Sequence, residues 1–566
     1  MTTYYPIYYT RRSPCSTRDH LGNGGCPARN DIPRFLFSIW KGDFELAFRI
    51  LKRTNPFSGG CGRFCDHPCE KACNREKFDE PVDIMALERV AADEGFRKGI
   101  FPSPPERRTG KRVYVVGGGP AGLTSAYFLA RLGHEVVVFE AEKKAGGLMR
   151  FGIPRYRYPE DVADYEVEYI EKTGVRIETN ARIYPGDIPR LLEESDALIV
   201  ATGALKGKRI GCPGDDLPGV WQGVPFLRDV NLSPEISRGD IEALSERISV
   251  GKEVAVIGGG YTAFDVARTA VRLGCSVTVY YRRTESQMTA HPGEVREAEK
   301  EGIRFVFLSI PRKIEHAENG RYRITFEKAR LGEPDESGRE RPIPTGELFT
   351  AEVDRVITAI GEDSTLPEVL PEGVPSTAEE MVTFPGGKKR VFLAGDVRKG
   401  FSPNVGMVVR AIGSGQDAAA KVHEYLTGER LSLLPEKEIA FYETIKVRYF
   451  EERARARLPK IPVEERRGNF RETVLSLPRD VAREMAGRCF FCGICIQCDW
   501  CYDYGRGAIA KREIPWSPDE DAFFYRFIRE RVTAKTEEAV EACPRCTMKM
   551  VPDKGEWKKA IDEQYI

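Results

Sequence analysis

The sequence predicts an α/β chain with two Rossmann-like nucleotide-binding domains, preceded by a helical cysteine-rich domain and followed by a small cysteine-rich one. Two strand–glycine turn–helix–strand units, which begin near residues 111 and 253, predict the central domains. Of the 15 cysteines, four lie at 61–73, five at 489–501 and two at 543–546, and these clusters predict the outer domains. The expected domain ranges are 1–103 (helical), 104–235 and 386–430 (first nucleotide domain in two pieces), 236–385 (second nucleotide domain), 431–484 (linker) and 485–566 (tail).

The first glycine unit follows an apolar, β-branched strand, KRVYVV, at residues 111–116. The turn GGGPAG holds Gly117, Gly119 and Gly122, with Pro120 and Ala121 between the last two, and an amphipathic helix follows. The next strand, HEVVVFE, ends in Glu140. Glycines at these positions permit a tight turn and close approach to a pyrophosphate at the helix N-terminus, and the acid accepts a hydrogen bond from a ribose hydroxyl. A lone glycine pattern would be weak, but the complete unit predicts a dinucleotide site.

Three later segments identify the first dinucleotide as FAD. They fall where flavoproteins with two dinucleotide domains carry their corresponding motifs. The segments are Gly147-Leu148, Ala201-Thr202-Gly203 and Gly395-Asp396. Asp396 ends the strand-like FLAGD and is expected to reach the ribityl chain.

The second glycine unit spans residues 253–283 and places Gly258, Gly260 and Ala263 at the fingerprint positions. Its second strand ends in Arg282 and Arg283 instead of an acid. Arginines suit a 2′-phosphate by bidentate pairing, which favours NADP(H) over NAD(H), although they could also be a solvated strand end. Hydride transfer between nicotinamide and flavin requires no catalytic side chain, so none is named. A disulfide reductase would need a CxxC pair beside the flavin, and the central domains hold only the isolated Cys212 and Cys275.

Near the start of the chain, Cys26 precedes a run of cysteines at intervals of four: Cys61, Cys65, Cys69 and Cys73. Zinc sites usually combine C-x2-C pairs, which are absent from this segment, so an iron–sulfur cluster fits better.

The stretch from Cys26 to about Asp93 resembles the N-terminal region of the small (β) subunit of NADPH-dependent glutamate synthase. The same module occurs in dihydropyrimidine dehydrogenase and in the large subunit of NADH-dependent ferredoxin–NADP oxidoreductase. The similarity continues through GGLMRFGIPRYRYP, GGGYTAFD, YYRR, TAIG (ending at Gly361) and LAGD, so it covers about residues 20–425. It implies FAD, a nicotinamide site and an N-terminal [4Fe–4S] cluster.

In family members with two N-terminal clusters, further upstream cysteines serve one of them, and here only Cys15 precedes Cys26. The resemblance therefore implies one cluster bound by Cys26, Cys65 and Cys69. The fourth ligand is open: Cys73 is preferred, although its family counterpart serves the other cluster. Glu88, at the position of a family glutamine ligand, and Cys61 are the alternatives.

The tail carries cysteines at every third residue and then the pair CPRC: Cys489, Cys492, Cys495, Cys498 and Cys501, then Cys543 and Cys546. The run resembles the C-x2-C-x2-C pattern of a ferredoxin and the ferredoxin-like tails of some relatives. Seven cysteines cannot form two all-cysteine clusters, so one [4Fe–4S] cluster closed by Cys543 is expected, two in the whole chain. Structural zinc bound by Cys489, Cys492, Cys543 and Cys546 is the rival.

Composition excludes some classes of function. Lys and Arg number 86, as do Asp and Glu, so the charge predicts no nucleic-acid partner. There is no apolar stretch long enough for a membrane span. Arg11-Arg12 resembles the start of a twin-arginine export signal, but no apolar segment follows it, so we expect a cytoplasmic protein.

Together these features predict an oxidoreductase subunit that passes electrons between NAD(P)H and a partner protein through FAD and iron–sulfur clusters. The partner is expected to be a separate catalytic or electron-accepting subunit, or a ferredoxin, in a hetero-oligomer. The alternatives are a stand-alone NAD(P)H–ferredoxin oxidoreductase and a redox-sensing scaffold without turnover.

Overall fold

The computed structural model forms two compact units. One contains residues 1–100, 431–458 and 476–566, and the other contains 101–430 and 459–475. The residues that the structure describes are 4–8, 11–17, 24–334, 338–370, 381–383, 389–398, 406–431, 438–505, 507–511, 525–528, 531–532, 536–545 and 547–552.

The N-terminal part of the first unit is a strand followed by five helices: β1 (Tyr4–Tyr8), α1 (Ile32–Lys41), α2 (Phe44–Lys52), α3 (Ser58–Phe64), α4 (Pro68–Lys71) and α5 (Ile84–Arg97). Asp31 and Asp43 cap α1 and α2 by accepting hydrogen bonds from the backbone amides of Arg34 and Leu46. Apolar faces of these helices form a buried core that includes Phe35, so the expected helical domain is present.

The second unit begins with the first glycine unit. Its elements are β2 (Arg112–Val116), α6 (Pro120–Arg131), β3 (Glu135–Phe139), α7 (Leu148–Phe151), α8 (Glu160–Glu171), β4 (Arg176–Glu178), α9 (Ile188–Glu194), β5 (Ala197–Val200) and β6 (Lys206–Gly207). Strands β2, β3 and β5 are largely buried and rich in β-branched residues, as parallel strands covered on both faces require.

The nicotinamide part follows. It comprises β7 (Val220–Gln222), α10 (Gly223–Asn231), α11 (Pro234–Arg238), α12 (Ile241–Ile248), β8 (Glu253–Ile257), α13 (Tyr261–Arg272), β9 (Ser276–Tyr280), α14 (Pro292–Lys300), β10 (Arg304–Val306), β11 (Ser309–His316), β12 (Tyr322–Pro334), β13 (Glu340–Val353), β14 (Arg355–Thr358) and β15 (Glu362–Asp363). Five strands form a parallel sheet in the order β10-β9-β8-β14-β7, and β11-β12-β13 form an antiparallel sheet.

The chain then returns to the first sheet with β16 (Met381–Thr383), β17 (Lys389–Leu393) and α15 (Val408–Thr427). The completed six-stranded sheet has the order β16-β17-β5-β2-β3-β4, parallel except for β16. The prediction of two Rossmann-like domains is confirmed. The carboxyl ends of β17, β5, β2 and β3 share one edge, where such sheets bind ligands.

The C-terminal part of the first unit contains α16 (Arg479–Gly487), α17 (Trp500–Tyr504), β18 (Ile509–Lys511), β19 (Tyr525–Phe527), α18 (Thr536–Ala542) and β20 (Met548–Pro552). Strand β20 pairs antiparallel with β1, so both ends of the chain contribute to one small sheet.

The compact units differ from the expected domain ranges, because the helical domain and the tail fall in one unit. The expected linker 431–484 is also divided. Arg455 forms ion pairs with Glu70 and Asp83 in the first unit, whereas Arg466 forms ion pairs with Glu297 and Glu301 in the second. Several charged residues of the segment expected to be a linker therefore form ion pairs within the two units. Among the described helices, none is long and apolar enough to cross a membrane.

Candidate functional site: two nucleotide cradles and three groups of thiols

The first glycine turn lies between β2 and α6. Gly117 has φ +106°, and a Cβ there would lie 2.6 Å from the Ala201 carbonyl oxygen, so only glycine lets the turn approach the end of β5. A Cβ at Gly122 would lie 2.0 Å from the Gly117 carbonyl oxygen, which makes this glycine necessary for helix–strand packing. Gly119 differs, because the nearest atom to its Cβ position is 3.9 Å away, in Gly147. The open space at Gly119, beside the N-terminus of α6, fits a pyrophosphate.

Glu140 is held at the end of β3. Its Oε2 accepts a hydrogen bond of 2.8 Å from the Gly118 amide, and its Oε1 accepts one of 2.8 Å from the Glu142 amide. Burial raises the pKa of Glu140, while these backbone donors lower it. Each carboxylate oxygen can accept a second hydrogen bond, so the pinned carboxylate retains the capacity to accept from a ribose hydroxyl.

The other residues expected at the flavin site lie in the segments that follow β2, β3, β5 and β17: Pro120, Ala121, Gly147, Leu148, Ala201, Thr202, Gly203, Gly395 and Asp396. A Cβ at Gly395 would lie 2.6 Å from the Ala121 Cβ, so the FLAGD turn lies directly against α6. Asp396 Oδ1 accepts a hydrogen bond of 2.8 Å from the Gly406 amide. The structure therefore brings the four sequence segments to one edge of the sheet.

The second glycine turn, between β8 and α13, repeats this arrangement. A Cβ at Gly258 would lie 2.2 Å from the Ala359 carbonyl oxygen, at the end of the neighbouring β14. Ala263 is fully buried, which shows that alanine satisfies the third position. Gly260 lies at the N-terminus of α13, and Gly361 follows β14 at the same edge of the sheet. A Cβ at Gly260 would lie 3.3 Å from the Thr289 Oγ1, so this second cradle at a helix N-terminus is tighter than the first.

The two arginines after β9 differ in environment. Arg283 is buried, 3% exposed, and its Nε donates a hydrogen bond of 2.8 Å to the backbone carbonyl of Glu340 in β13. Arg282 is exposed. Arg283 therefore attaches the end of β9 to the antiparallel sheet, whereas the neighbouring Arg282 side chain lies at the surface.

Four buried or half-buried thiols of the helical segment lie around Glu88: Cys26, Cys61, Cys65 and Cys69. Burial raises the pKa of each, and the Glu88 carboxylate raises it further. Glu88 Oε1 accepts hydrogen bonds from the side-chain amides of Asn30 (3.1 Å) and Asn55 (2.9 Å). Four thiols and one carboxylate fit the donor set of an iron–sulfur cluster.

Cys73 lies with a different group. Burial raises the pKa of Cys489 and Cys492, and the nearby thiolate of Cys73 raises both further. The same thiolate raises the pKa of Cys15. These four thiols come from opposite ends of the sequence.

The remaining tail thiols form a third group. Cys495 and Cys498 lie near Cys543, whose thiolate raises the pKa of both beyond the effect of burial. Cys501 and Cys543 share a small apolar core with Tyr525. Cys546 lies outside the described residues.

The described cysteines are free thiols. No three described His, Cys, Asp or Glu side chains meet closely enough to hold a single metal ion. Ligands of a four-iron cluster do not need such a meeting point, since each thiolate binds a different iron.

Sequence reasoning did not select Cys15, Asn74 or Arg545 for the site. The count of seven tail cysteines, too few for two all-cysteine clusters, was the only sequence indication that a second cluster involving the tail would need ligands from elsewhere. No sequence pattern indicated the hydrogen bond from Asn74 to the Cys492 sulfur. Nor did any pattern indicate that Arg545 lies close to Cys492, where its charge opposes the burial that raises the pKa of this thiol.

Comparison with protein families identifies the two parts of the chain. The model described as "Pyridine nucleotide-disulphide oxidoreductase" matches residues 85–187 and 111–415. The model for dihydropyrimidine dehydrogenase domain II, with a 4Fe-4S cluster, matches residues 10–100.

Three relatives agree with this assignment. The NADP(+)-dependent formate dehydrogenase subunit beta of Moorella thermoacetica is 35% identical, with 87% of this chain and 71% of the relative covered. The NADPH-Fe(3+) oxidoreductase subunit beta of Geobacter sulfurreducens is 32% identical, covering 85% and 75%. The glutamate synthase [NADPH] small chain of Azospirillum brasilense is 34% identical, covering 71% and 85%. The expected family, enzyme class and cofactors are confirmed. This chain belongs to the pyridine nucleotide-disulphide oxidoreductase family, as an FAD-, NADP- and iron–sulfur-dependent oxidoreductase subunit of the glutamate synthase small-subunit type.

Proposed function

We propose that this chain takes hydride from NADPH at the second cradle, passes electrons to FAD in the first, and delivers them through its iron–sulfur clusters to a separate protein. The observation that carries the proposal is that one unit holds two glycine cradles, while the other holds three groups of free thiols, most of them buried or half-buried. When bound, FAD accepts two electrons as hydride and releases them singly, which is what one-electron clusters require.

In the nucleotide cradles, we assign the backbone of Gly119 and the N-terminus of α6 to the FAD pyrophosphate, with Glu140 on the ribose and Asp396 on the ribityl chain. Gly260 and the N-terminus of α13 take the corresponding place for NADPH. Arg282 binds the 2′-phosphate, supported by its exposed position at the end of β9. Arg283 positions this strand end and does not bind the phosphate.

For the N-terminal cluster, we assign Cys26, Cys61, Cys65 and Cys69 as ligands. Cys61 is 2% exposed and lies with Cys26 and Cys65, and the Oε1 of Glu88 already accepts two amide hydrogen bonds. The tail cluster uses Cys495, Cys498, Cys501 and Cys543, which is supported by their shared environment.

The partner is a second, catalytic or electron-accepting subunit. The similar proteins carry names that mark them as subunits: a formate dehydrogenase subunit beta, an iron(III) oxidoreductase subunit beta and a glutamate synthase small chain. We propose the same kind of hetero-oligomer here, working in the cytoplasm, where free thiols persist.

The test is a titration of the full chain with NADPH, after anaerobic purification with its bound cofactors. The expected result is one FAD per chain, bleaching of the flavin band by NADPH, and loss of the broad cluster absorbance as electrons move on. Dithionite measures the total reducible clusters. A protein without flavin, or flavin that NADPH reduces without any change in the clusters, would refute the proposal. Rapid reduction of an added ferredoxin with no second subunit would instead establish the stand-alone enzyme.

A further inference from the structure

The first C-x2-C pair of the tail packs among the N-terminal helices. Arg488, just before it, donates hydrogen bonds to the backbone carbonyls of Glu80 (3.0 Å) and Pro81 (3.3 Å). Phe490 and Phe491, between the two cysteines, are 2% and 1% exposed. Burial of two phenylalanines at this depth strongly stabilises the position of the pair.

The aromatic contacts show where this pair is held. Phe490 lies edge-on to Phe78, with ring centroids 5.6 Å apart, and Phe491 stacks on Trp40 of α1 at 5.5 Å. The backbone between the cysteines turns sharply, because Phe491 has φ +51°. The amide of Phe491 donates to the Cys489 sulfur at 3.3 Å. Cys489 and Cys492 are therefore presented to the helical segment.

The last cysteine of the N-terminal run faces this pair. Asn74, next to Cys73, donates from its side-chain amide to the Cys492 sulfur at 3.3 Å and to the Ala440 carbonyl at 2.7 Å. Cys73 and Cys492 are thus brought together across more than 400 residues of sequence.

The segment that carries Cys15 completes the arrangement. The Arg11 amide donates to the Gly493 carbonyl at 3.0 Å, and the Arg12 amide donates to the Glu438 carbonyl at 2.8 Å. Cys15 is 6% exposed. Burial raises the pKa of the Cys15 thiol, and the nearby charges of Cys73, Cys489 and Cys492 raise it further.

We propose that Cys15, Cys73, Cys489 and Cys492 bind a third [4Fe–4S] cluster, assembled from both ends of the chain. The proposal rests on the iron–sulfur function proposed above and extends it. Three buried cysteines and the half-buried Cys73, with two N–H donors aimed at their sulfurs, match the ligand and hydrogen-bond environment of such clusters. With this assignment each of the three groups contains four cysteines, which is the number that one [4Fe–4S] cluster requires. The chain would carry about twelve irons instead of eight.

This cluster site is the middle one of three. Cys73 follows Cys69 of the N-terminal group by four residues, and Cys492 precedes Cys495 of the tail group by three. Three residues span at most about 11 Å of backbone and four at most about 14 Å, so the ligand groups are immediate neighbours. Burial raises the pKa of Cys489 and Cys495, and the guanidinium of Arg545 lowers both. One buried cation therefore lies near thiols of both the middle and the tail group.

The test uses the full chain with single substitutions of each proposed ligand to alanine, and Cys275→Ala as the matched control. Cys275 is a buried thiol in the nicotinamide part, 7% exposed, outside all three groups. Iron, acid-labile sulfide and FAD are measured per chain, with electron paramagnetic resonance of the dithionite-reduced protein. We expect about twelve irons in the wild type and the control. Each ligand variant should lose about four, with the same resonance signal missing in all four variants and FAD retained.

Asn74→Leu provides a second test that leaves every ligand in place. Loss of the N–H donor to Cys492 should lower the midpoint potential of one cluster signal, with iron content unchanged and the other two signals unmoved. A flavin-loaded wild type with eight irons would overturn the inference but leave the proposed function intact, whereas absence of both flavin and iron would overturn the function itself. Zinc lost in place of iron, or four variants that remove different signals, would also refute the shared cluster.

Discussion

Arg282 and Arg283 provide a direct test of nucleotide recognition, because adjacent arginines have different surroundings. Arg282 is exposed at the end of β9, where the adenosine ribose of a dinucleotide lies in this kind of domain. Arg283 is buried and bound to the Glu340 carbonyl. We therefore predict that Arg282→Ala removes a phosphate contact, and that Arg283→Ala weakens the junction between β9 and β13.

A charge-assisted hydrogen bond contributes about 1.5–3 kcal/mol, so Arg282→Ala should raise the KM for NADPH by about tenfold to 150-fold. The KM for NADH, which lacks the 2′-phosphate, should change less than about twofold. Arg283→Ala should lower the unfolding temperature and affect both nucleotides alike. The assay is steady-state dye reduction with each nucleotide, together with thermal unfolding of each variant.

Three results would refute this reasoning. An Arg282→Ala variant that raises the KM of NADH as much as that of NADPH would make Arg282 a structural residue. Arg283→Ala could instead carry the NADPH-specific loss without a change in stability. A wild type that prefers NADH would remove the basis for a phosphate-binding arginine.

Three further predictions concern the flavin, the N-terminal cluster and the dependence of stability on pH. Gly119→Val should abolish FAD retention, because its side chain would fill the open space beside the N-terminus of α6. Gly186→Val, at an exposed glycine with no atom near its Cβ position, should retain FAD. Flavin released on denaturation measures both. Cys61→Ala should lose about four irons per chain and Glu88→Gln should keep them, and the reverse pattern would make Glu88 the ligand. Burial lowers the pKa of His134 to about 4, whereas in the unfolded chain it is about 6.5. The unfolded chain therefore binds more protons between these values, so stability should fall by about 1–3 kcal/mol as pH drops through that window. The fall should be smaller in His134→Asn, and equal slopes in thermal unfolding would contradict this assignment.

Most of the nucleotide-binding part could be predicted from sequence because its signals are local. The strand expected at 111–116 is β2 at 112–116, and the expected turn and helix follow it directly. Glycine spacing, β-branched strands and amphipathic helices each depend on a few neighbouring residues. Even there, the different surroundings of Arg282 and Arg283 were not visible, because the partner of Arg283 lies 57 residues away in β13.

The cysteine clusters show the limit of local signals more clearly. The spacing of the thiols predicted metal or iron–sulfur binding and supplied every candidate ligand except Cys15. Spacing could not determine how the thiols are grouped, because Cys489 and Cys492 continue the same every-third-residue pattern as the other cysteines of the tail. Their position is set by burial of Phe490 and Phe491 among the N-terminal helices and by the hydrogen bond from Asn74 to Cys492. The sequence by itself therefore determined the fold class, the cofactors and the kind of ligand. Only the tertiary structure decided which thiols meet, because packing between remote segments leaves no periodic pattern along the chain.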